Sequence, residues 1–368
     1  MKNPFYFSAA EERETSLLSL IMSLSQAMDL VSPYVAKHQL KVAYLADALA
    51  KEMGFPDKDL WAIQYAGILH DIGALSLSKR LEYLSFEINN PHRHAELGYL
   101  LLSDFSPLET AASIIRHHHV KWNSGEGKVF EGNPVRIESH LLHLADRISV
   151  LLDQNREVLS QVSRIKDTIL DKTGTWFHPE AVKAFLSLAE REAFWITLAL
   201  VGTENRFCEQ ATDSMLLDSD SLLDIAKLFA RVIDFRSRFT ATHSSSVASV
   251  ALFLARERGF SSKECRELQI SGYMHDLGKL SVPLEILNKP GPLSQEELYV
   301  IKKHPFYSFK LIEQIGGMER IKIYGSLHHE GLTGNGYPFH LAEPEIPLGS
   351  RIVACADIFT ALTEDRPY

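Results

Sequence analysis

Cysteine is scarce: Cys208, Cys265 and Cys355 are the three in 368 residues, and no two form a Cys-x-x-Cys pair. That excludes a disulfide framework and a thiolate zinc site, points to a reducing compartment, and leaves each cysteine as a small buried side chain. Long apolar runs are missing too, and without about 18 consecutive uncharged apolar residues no membrane span is expected. The run Glu11-Glu12-Arg13-Glu14 interrupts the amino terminus, so no signal peptide is expected and the chain is assigned to the cytoplasm. No low-complexity tract or block of like charge marks a disordered tail. A formal net charge of −9 argues against binding long nucleic acid through its phosphates. Strand-like alternation of polar and apolar residues is nearly absent.

What is present is a repeat. Residues 16–77 align without a gap to residues 221–282, an offset of 205 (221 − 16 = 205). Both copies space apolar residues three and four apart and place Gly-Phe, Gly54-Phe55 and Gly259-Phe260, where one helix should stop and the next begin. An all-α fold of two tandem domains follows, with the boundary expected at 1–205 and 206–368.

Histidine is the other surplus, 16 in all, and its placement repeats more tightly than the apolar pattern. His38 matches His243, His70-Asp71 matches His275-Asp276, His94 matches His304, His117-His118 matches His328-His329, and Asp146 matches Asp357. His119 and His140 fall outside this set and read as surface residues. A lone histidine on a helix is usually structural, but seven His and Asp positions recurring in order in divergent copies point to a metal site. Neutral imidazoles with carboxylates suit iron, manganese, zinc or cobalt and suit calcium poorly. The carboxylate of Asp276 can bridge two ions, an arrangement used for phosphoester hydrolysis. Lys279, three residues on, would project from the same helix face and could neutralise a phosphate oxygen; in the first copy that place is Ala74.

The pattern H…HD…H…HH…D resembles the HD superfamily of metal-dependent phosphohydrolases, and "HDLGK" with "HHEGLTGNGYP" is similar to its HD-GYP subfamily, which hydrolyses cyclic dinucleotides, chiefly cyclic di-GMP. The resemblance implies two divalent transition metals, iron or manganese. One would be held by His243, His275, Asp276 and Asp357, the other by Asp276, His304, His328 and His329. It implies Asp276 and Lys279 as catalytic residues, and Lys279, Gly336, Tyr337, Pro338 and Arg366 as substrate contacts. Phe239 stands where some members carry a glutamate for a third ion. Thr333 replaces the usual loop aspartate. Glu330 is expected to support a ligand histidine. The second copy is expected to be truncated at its carboxyl end, because Tyr368 falls opposite residue 157 (368 − 211 = 157) while the first copy runs on.

The first copy keeps His38, His70, Asp71, His94, His117, His118 and Asp146, a second candidate metal site, but lacks the lysine and the Gly-Tyr-Pro loop. A regulatory role is expected for it. Cyclic-dinucleotide synthases are implied as partners, and a homodimer is left open. Two other functions compete with hydrolysis of cyclic di-GMP: a signalling module with little turnover, and an HD hydrolase acting on cyclic GMP-AMP or another nucleotide.

Overall fold

The structure, a computed structural model, describes residues 14–30, 37–74, 77–87, 91–201, 215–236 and 242–364. Apart from a two-stranded hairpin, β1 (Val129–Phe130) and β2 (Asn133–Pro134), its regular elements are helices. The all-α expectation holds. Among the described residues no helix is long and apolar enough to cross a membrane.

The chain divides into two compact units, residues 33–213 and residues 1–32 with 214–368. This departs from the single cut at 205 expected from the repeat. The first helix, α1 (Leu17–Asp29), belongs to the unit built mainly from the second copy. Ser23 Oγ donates to Leu311 O at 3.1 Å and Thr15 Oγ1 to Gly316 O at 2.8 Å. A periodic apolar face says that a helix packs; it does not say against what.

The unit of residues 33–213 contains α2 (His38–Glu52), α3 (Asp57–Leu69), α4 (Leu77–Tyr83), α5 (His92–Leu102), α6 (Glu109–Arg116), α7 (Ile137–Leu151), α8 (Val162–Asp171), α9 (Pro179–Ala189) and α10 (Glu192–Leu200). The other unit adds α11 (Ser219–Phe235), α12 (His243–Glu257), α13 (Ser262–Met274), α14 (Leu284–Leu287), α15 (Gln295–Ile301), α16 (His304–Glu313), α17 (Glu319–Ser326) and α18 (Leu348–Thr363). In each unit a pair of helices carries the repeat: α2 packs on α3 and α7, and α12 on α13 and α18.

The Gly-Phe signals end α2 and α12 as the sequence anticipates. Gly54 and Gly259 have φ of +78° and +74°. Their N–H groups, with those of Phe55 and Phe260, bond back to Lys51 O, Ala50 O, Arg256 O and Ala255 O at 3.0–3.2 Å. That is a left-handed helix stop satisfying the last carbonyls. Ser261 then caps α13, with Glu264 returning the bond. Cys265 is buried as expected; Cys355 is exposed, because its α18 face is not covered within the unit, and Cys208 lies outside the described residues.

Candidate metal centre

In the unit containing α12 to α18, helix ends deliver the histidines. His243 and His304 open α12 and α16, His275 closes α13, and His328 and His329 follow α17. Gly278 lets the chain pass close by: a Cβ there would lie 2.0 Å from His304 O, and Gly73 stands likewise 2.1 Å from His94 O. Three imidazoles are oriented the same way, with Nδ1 against a carbonyl three residues earlier. These are His275 on Gly272 O at 2.8 Å, His304 on Ile301 O at 2.8 Å and His328 on Gly325 O at 2.6 Å. A carbonyl only accepts, so Nδ1 carries a hydrogen and each Nε2 points inward. Burial keeps His304 and His328 neutral, with a lone pair there, whereas against burial the neighbouring Asp276 pushes His275 up to about 9, so its Nε2 holds a proton that a cation would displace.

The carboxylates complete two groups. Asp276 Oδ2 lies 3.2 Å from His275 Nε2, and Oδ1 lies 3.2 Å from His304 Nε2 and 3.9 Å from His328 Nε2. Asp357 Oδ1 lies 3.1 Å from His243 Nε2 and 3.9 Å from His275 Nε2. His243, His275 and Asp276 form one ligand group, and His304, His328 and His329 another, with Asp276 facing both. Two acceptor lone pairs, His304 Nε2 and His328 Nε2, face each other at 3.3 Å. They cannot bond to one another; a cation between them resolves the contact. The buried His275 Nε2 and Asp276 Oδ1 also lack hydrogen-bond partners. The donor set fits divalent transition metals.

Electrostatics keeps the donors ready. Burial pushes His328 well below the usual histidine range and His329 down to about 3, so both are neutral ligands. Burial opposes the charge on Asp276, but His275 and Lys279 outweigh it and hold the carboxyl well below its ordinary value. Lys279 sits on a 3-10 turn, residues 277–281, that returns its Nζ to 2.5 Å from Asp276 Oδ2.

The glycine-rich loop adds one wall. Tyr337 stacks on His329, with centroids 4.8 Å apart and planes 24° apart, and Lys302 Nζ lies 5.2 Å from the tyrosine ring. Gly334 takes a left-handed turn, φ +76°. Gly336 is there for close approach instead, because a Cβ would fall 2.3 Å from Gly331 N. Glu330 does not support a ligand histidine: its carboxylate accepts from Phe339 N at 2.7 Å and Leu341 N at 2.9 Å, folding the loop back. Pro338 follows Tyr337 through a cis peptide bond. Phe239 and Arg366 lie outside the described residues.

Sequence reasoning missed two supports. Glu364 Oε2 lies 3.1 Å from His243 Nδ1, aiming that ring. Asp234 on α11 accepts from Ser244 Oγ at 2.7 Å and Ser244 N at 3.1 Å, seating the first turn of α12. The matching aspartate at residue 29 (234 − 205 = 29) was the available signal.

In the other unit the same geometry recurs, with corrections at His117, His119 and His140. His94, His118 and His119 form a ligand group, as do His38, His70 and Asp146. His119 replaces the expected His117, and it is buried rather than on the surface, as is His140. Three consecutive histidines made the register ambiguous; the offset from His94 to His304 (304 − 94 = 210) carries His328 and His329 to 118 and 119. Asp71 Oδ1 lies 3.4 Å from His94 Nε2, and Asp146 Oδ1 lies 3.2 Å from His38 Nε2. Arg147, unremarked in the sequence, is buried against Asp146.

Two family models described as HD domain match residues 35–151 and 227–368. The chain is 29% identical over 379 residues to 3'3'-cGAMP-specific phosphodiesterase 1 of Vibrio cholerae serotype O1, covering 97% of this chain and 85% of that protein. It is 38% identical over 143 residues to the cyclic di-GMP phosphodiesterase response regulator RpfG of Xanthomonas campestris pv. campestris, covering 38% of this chain and 37% of that one. The crystal structure of a cyclic GMP-AMP specific phosphodiesterase of V. cholerae, V-cGAP3, superposes with a TM-score of 0.66 at 23% identity, over 97% of this chain and 90% of that chain, a likeness of fold.

Proposed function

The chain belongs to the HD-domain family in both of its halves, and on that premise we propose that it is a metal-dependent phosphodiesterase that opens a cyclic dinucleotide at the centre formed by residues 243–357. The observation that carries this is Asp276, one carboxylate facing two histidine groups with Lys279 beside it. His243, His275, Asp276 and Asp357 would hold one ion and Asp276, His304, His328 and His329 the second, iron or manganese by the donor chemistry. Bound there, the pair would supply an activated water and charge stabilisation at the phosphoryl group.

The chain's own groups do the rest. Lys279, with its side chain 28% exposed, can swing from Asp276 to a phosphate oxygen and offset the charge that develops there. Tyr337, stacked on His329, offers an aromatic face for a base beside the pocket. The water oxygen bonds to phosphorus, the bond from phosphorus to the ribose oxygen breaks, that oxygen takes a proton, and a linear dinucleotide leaves.

For the base preference, 3'3'-cyclic GMP-AMP is favoured because similarity to a protein specific for it runs through both units. Cyclic di-GMP is the second reading, supported by similarity to a cyclic di-GMP phosphodiesterase. The test is hydrolysis of both nucleotides by anaerobically purified, manganese- or iron-loaded protein, beside metal content. Preferential turnover of 3'3'-cyclic GMP-AMP is the expected result; full metal loading without turnover of either nucleotide would leave a metal-binding signalling module. Lys279→Ala should retain the ions and lose about 100-fold or more in rate, the usual effect of removing one transition-state donor. Asp276→Ala should lose both ions and activity together.

A further inference from the structure

Lys279 reaches Asp276 because of the turn that carries it. In a 3-10 turn, residues three apart stand one above the other, and Lys279 Nζ returns to 2.5 Å from Asp276 Oδ2. On an α-helix the same two side chains would be offset by about 60° around the axis. A 3-10 turn is also intrinsically weak, because its hydrogen-bond geometry is poor. Holding Lys279 in place therefore needs contacts from outside the turn.

Two side chains outside both ligand groups supply them. Where the turn begins, Ser308 on α16 is fully buried; its Oγ donates to His275 O at 2.8 Å and accepts from Gly278 N at 2.9 Å. His275 O is the carbonyl that Lys279 N would meet if α13 ran on as an α-helix. Here Lys279 N bonds to Asp276 O at 2.8 Å instead, and Ser308 takes up the carbonyl so released. Where the turn ends, Arg236 is buried just past α11 and donates from Nη1 to Leu280 O. Asn288 Nδ2 in turn donates to Arg236 O at 3.4 Å. The first copy departs at all three places. Lys279 answers to Ala74 (279 − 205 = 74), Arg236 to Val31 (236 − 205 = 31) and Ser308 to Gly98 (308 − 210 = 98). Its ligand residues are kept, while the lysine and both side chains that grip its turn are replaced together. Groups serving the fold alone would be expected in both copies, as the ligands are.

We propose that Ser308 and Arg236 are positioning residues for the hydrolysis, gripping the two ends of the turn at residues 277–281 so that Lys279 is held where it meets the phosphate. Neither is a ligand or a substrate contact; each acts through the backbone of the turn. This rests on Lys279 acting at the phosphate, a role that Lys279→Ala judges separately.

The experiment uses the whole manganese-loaded protein with Ser308→Gly, which installs the first copy's residue, and with Arg236→Met, each alone and combined with Lys279→Ala. It measures metal content, kcat and KM on 3'3'-cyclic GMP-AMP and cyclic di-GMP, and hydrogen–deuterium exchange of the peptide 277–282. Each single variant should keep its ions and lose about tenfold in kcat with KM within about twofold, as one hydrogen bond felt only in the transition state would give. The amides of Lys279 and Val282 should exchange about tenfold faster, and those within α13 at the parent rate. In the Lys279→Ala background the same substitutions should cost less than about twofold in rate, because the group they position is gone. A full loss in that background, a loss of metal, or an unchanged rate in the single variants overturns the proposal. If Lys279→Ala keeps the parent rate, or the parent turns over neither nucleotide, the catalytic reading of Lys279 falls and exchange decides the clamp: faster exchange upholds the grip on the turn, and unchanged exchange overturns it. If Ser308→Gly does not fold, Ser308→Ala removes the same two bonds without a glycine in α16, and the same outcomes apply.

Discussion

A carboxyl group outside the ligand set shows how a single residue ties stability to the site. Burial pushes Asp234 up to about 6, against bonds from Ser244 that favour its charged form. The folded protein therefore holds this proton more tightly than the unfolded chain, whose aspartate titrates near 3.8. Stability from this group is greatest below about pH 4 and is lost as pH rises to about 6, a swing on the order of 3 kcal/mol. Asp234→Asn keeps an acceptor for Ser244 N and a donor toward Ser244 Oγ but removes the titration. Urea unfolding between pH 4 and 7 should show the variant gaining on the parent as pH rises; parallel curves would sink the assignment. Most residues that matter were legible because their chemistry is rare. His275, Asp276 and Lys279 announce themselves by type and spacing. Arg147 did not, since a single arginine is ordinary until its burial and its bonds to the carbonyls of Tyr83, Ser85 and Phe86 are seen. Glu330 was misassigned for the opposite reason: beside two histidines a carboxylate reads as their support, and only the fold shows its oxygens bound to the returning loop.

Elements ask different things of glycine, and two substitutions separate them. Gly259 closes α12 with φ +74° and has open space around its missing Cβ. Gly259→Ala should cost about 1 kcal/mol through backbone strain alone and leave metal content unchanged. Gly278 lies against α16, where a Cβ would sit 2.0 Å from His304 O and 2.8 Å from Ser308 N. Neither backbone atom can yield without moving the helix that opens on His304. Gly278→Ala should therefore lower the thermal midpoint further and reduce bound metal, measured on the same preparations. Equal metal content in both variants would count against α16 being held by this contact. The helix stop was readable from Gly-Phe, because a stop is a local event. The close approach was not, because it depends on a helix more than twenty residues further along the chain.

At the scale of the whole molecule, the repeat hides an unequal division of parts. Helix α1 aligns with α11 in sequence, yet both lie in the unit that carries Asp276. There α1 packs against the 3-10 turn bearing Lys279 and against α16. Its Leu17, Leu20, Ile21 and Leu24 are almost wholly buried, each worth about 1.5–3 kcal/mol. That sum rivals the entire stability of an ordinary domain, about 5–15 kcal/mol. A chain beginning at residue 33 should therefore lose the later unit's thermal transition or shift it sharply down, along with hydrolysis and the ions at Asp276. The unit it directly precedes in sequence should keep its own transition. Calorimetry with metal analysis decides the point. Loss confined to residues 33–213 would mean that α1 serves its own repeat, whereas loss at a site some 250 residues away would show that the amino terminus builds the unit that carries Asp276.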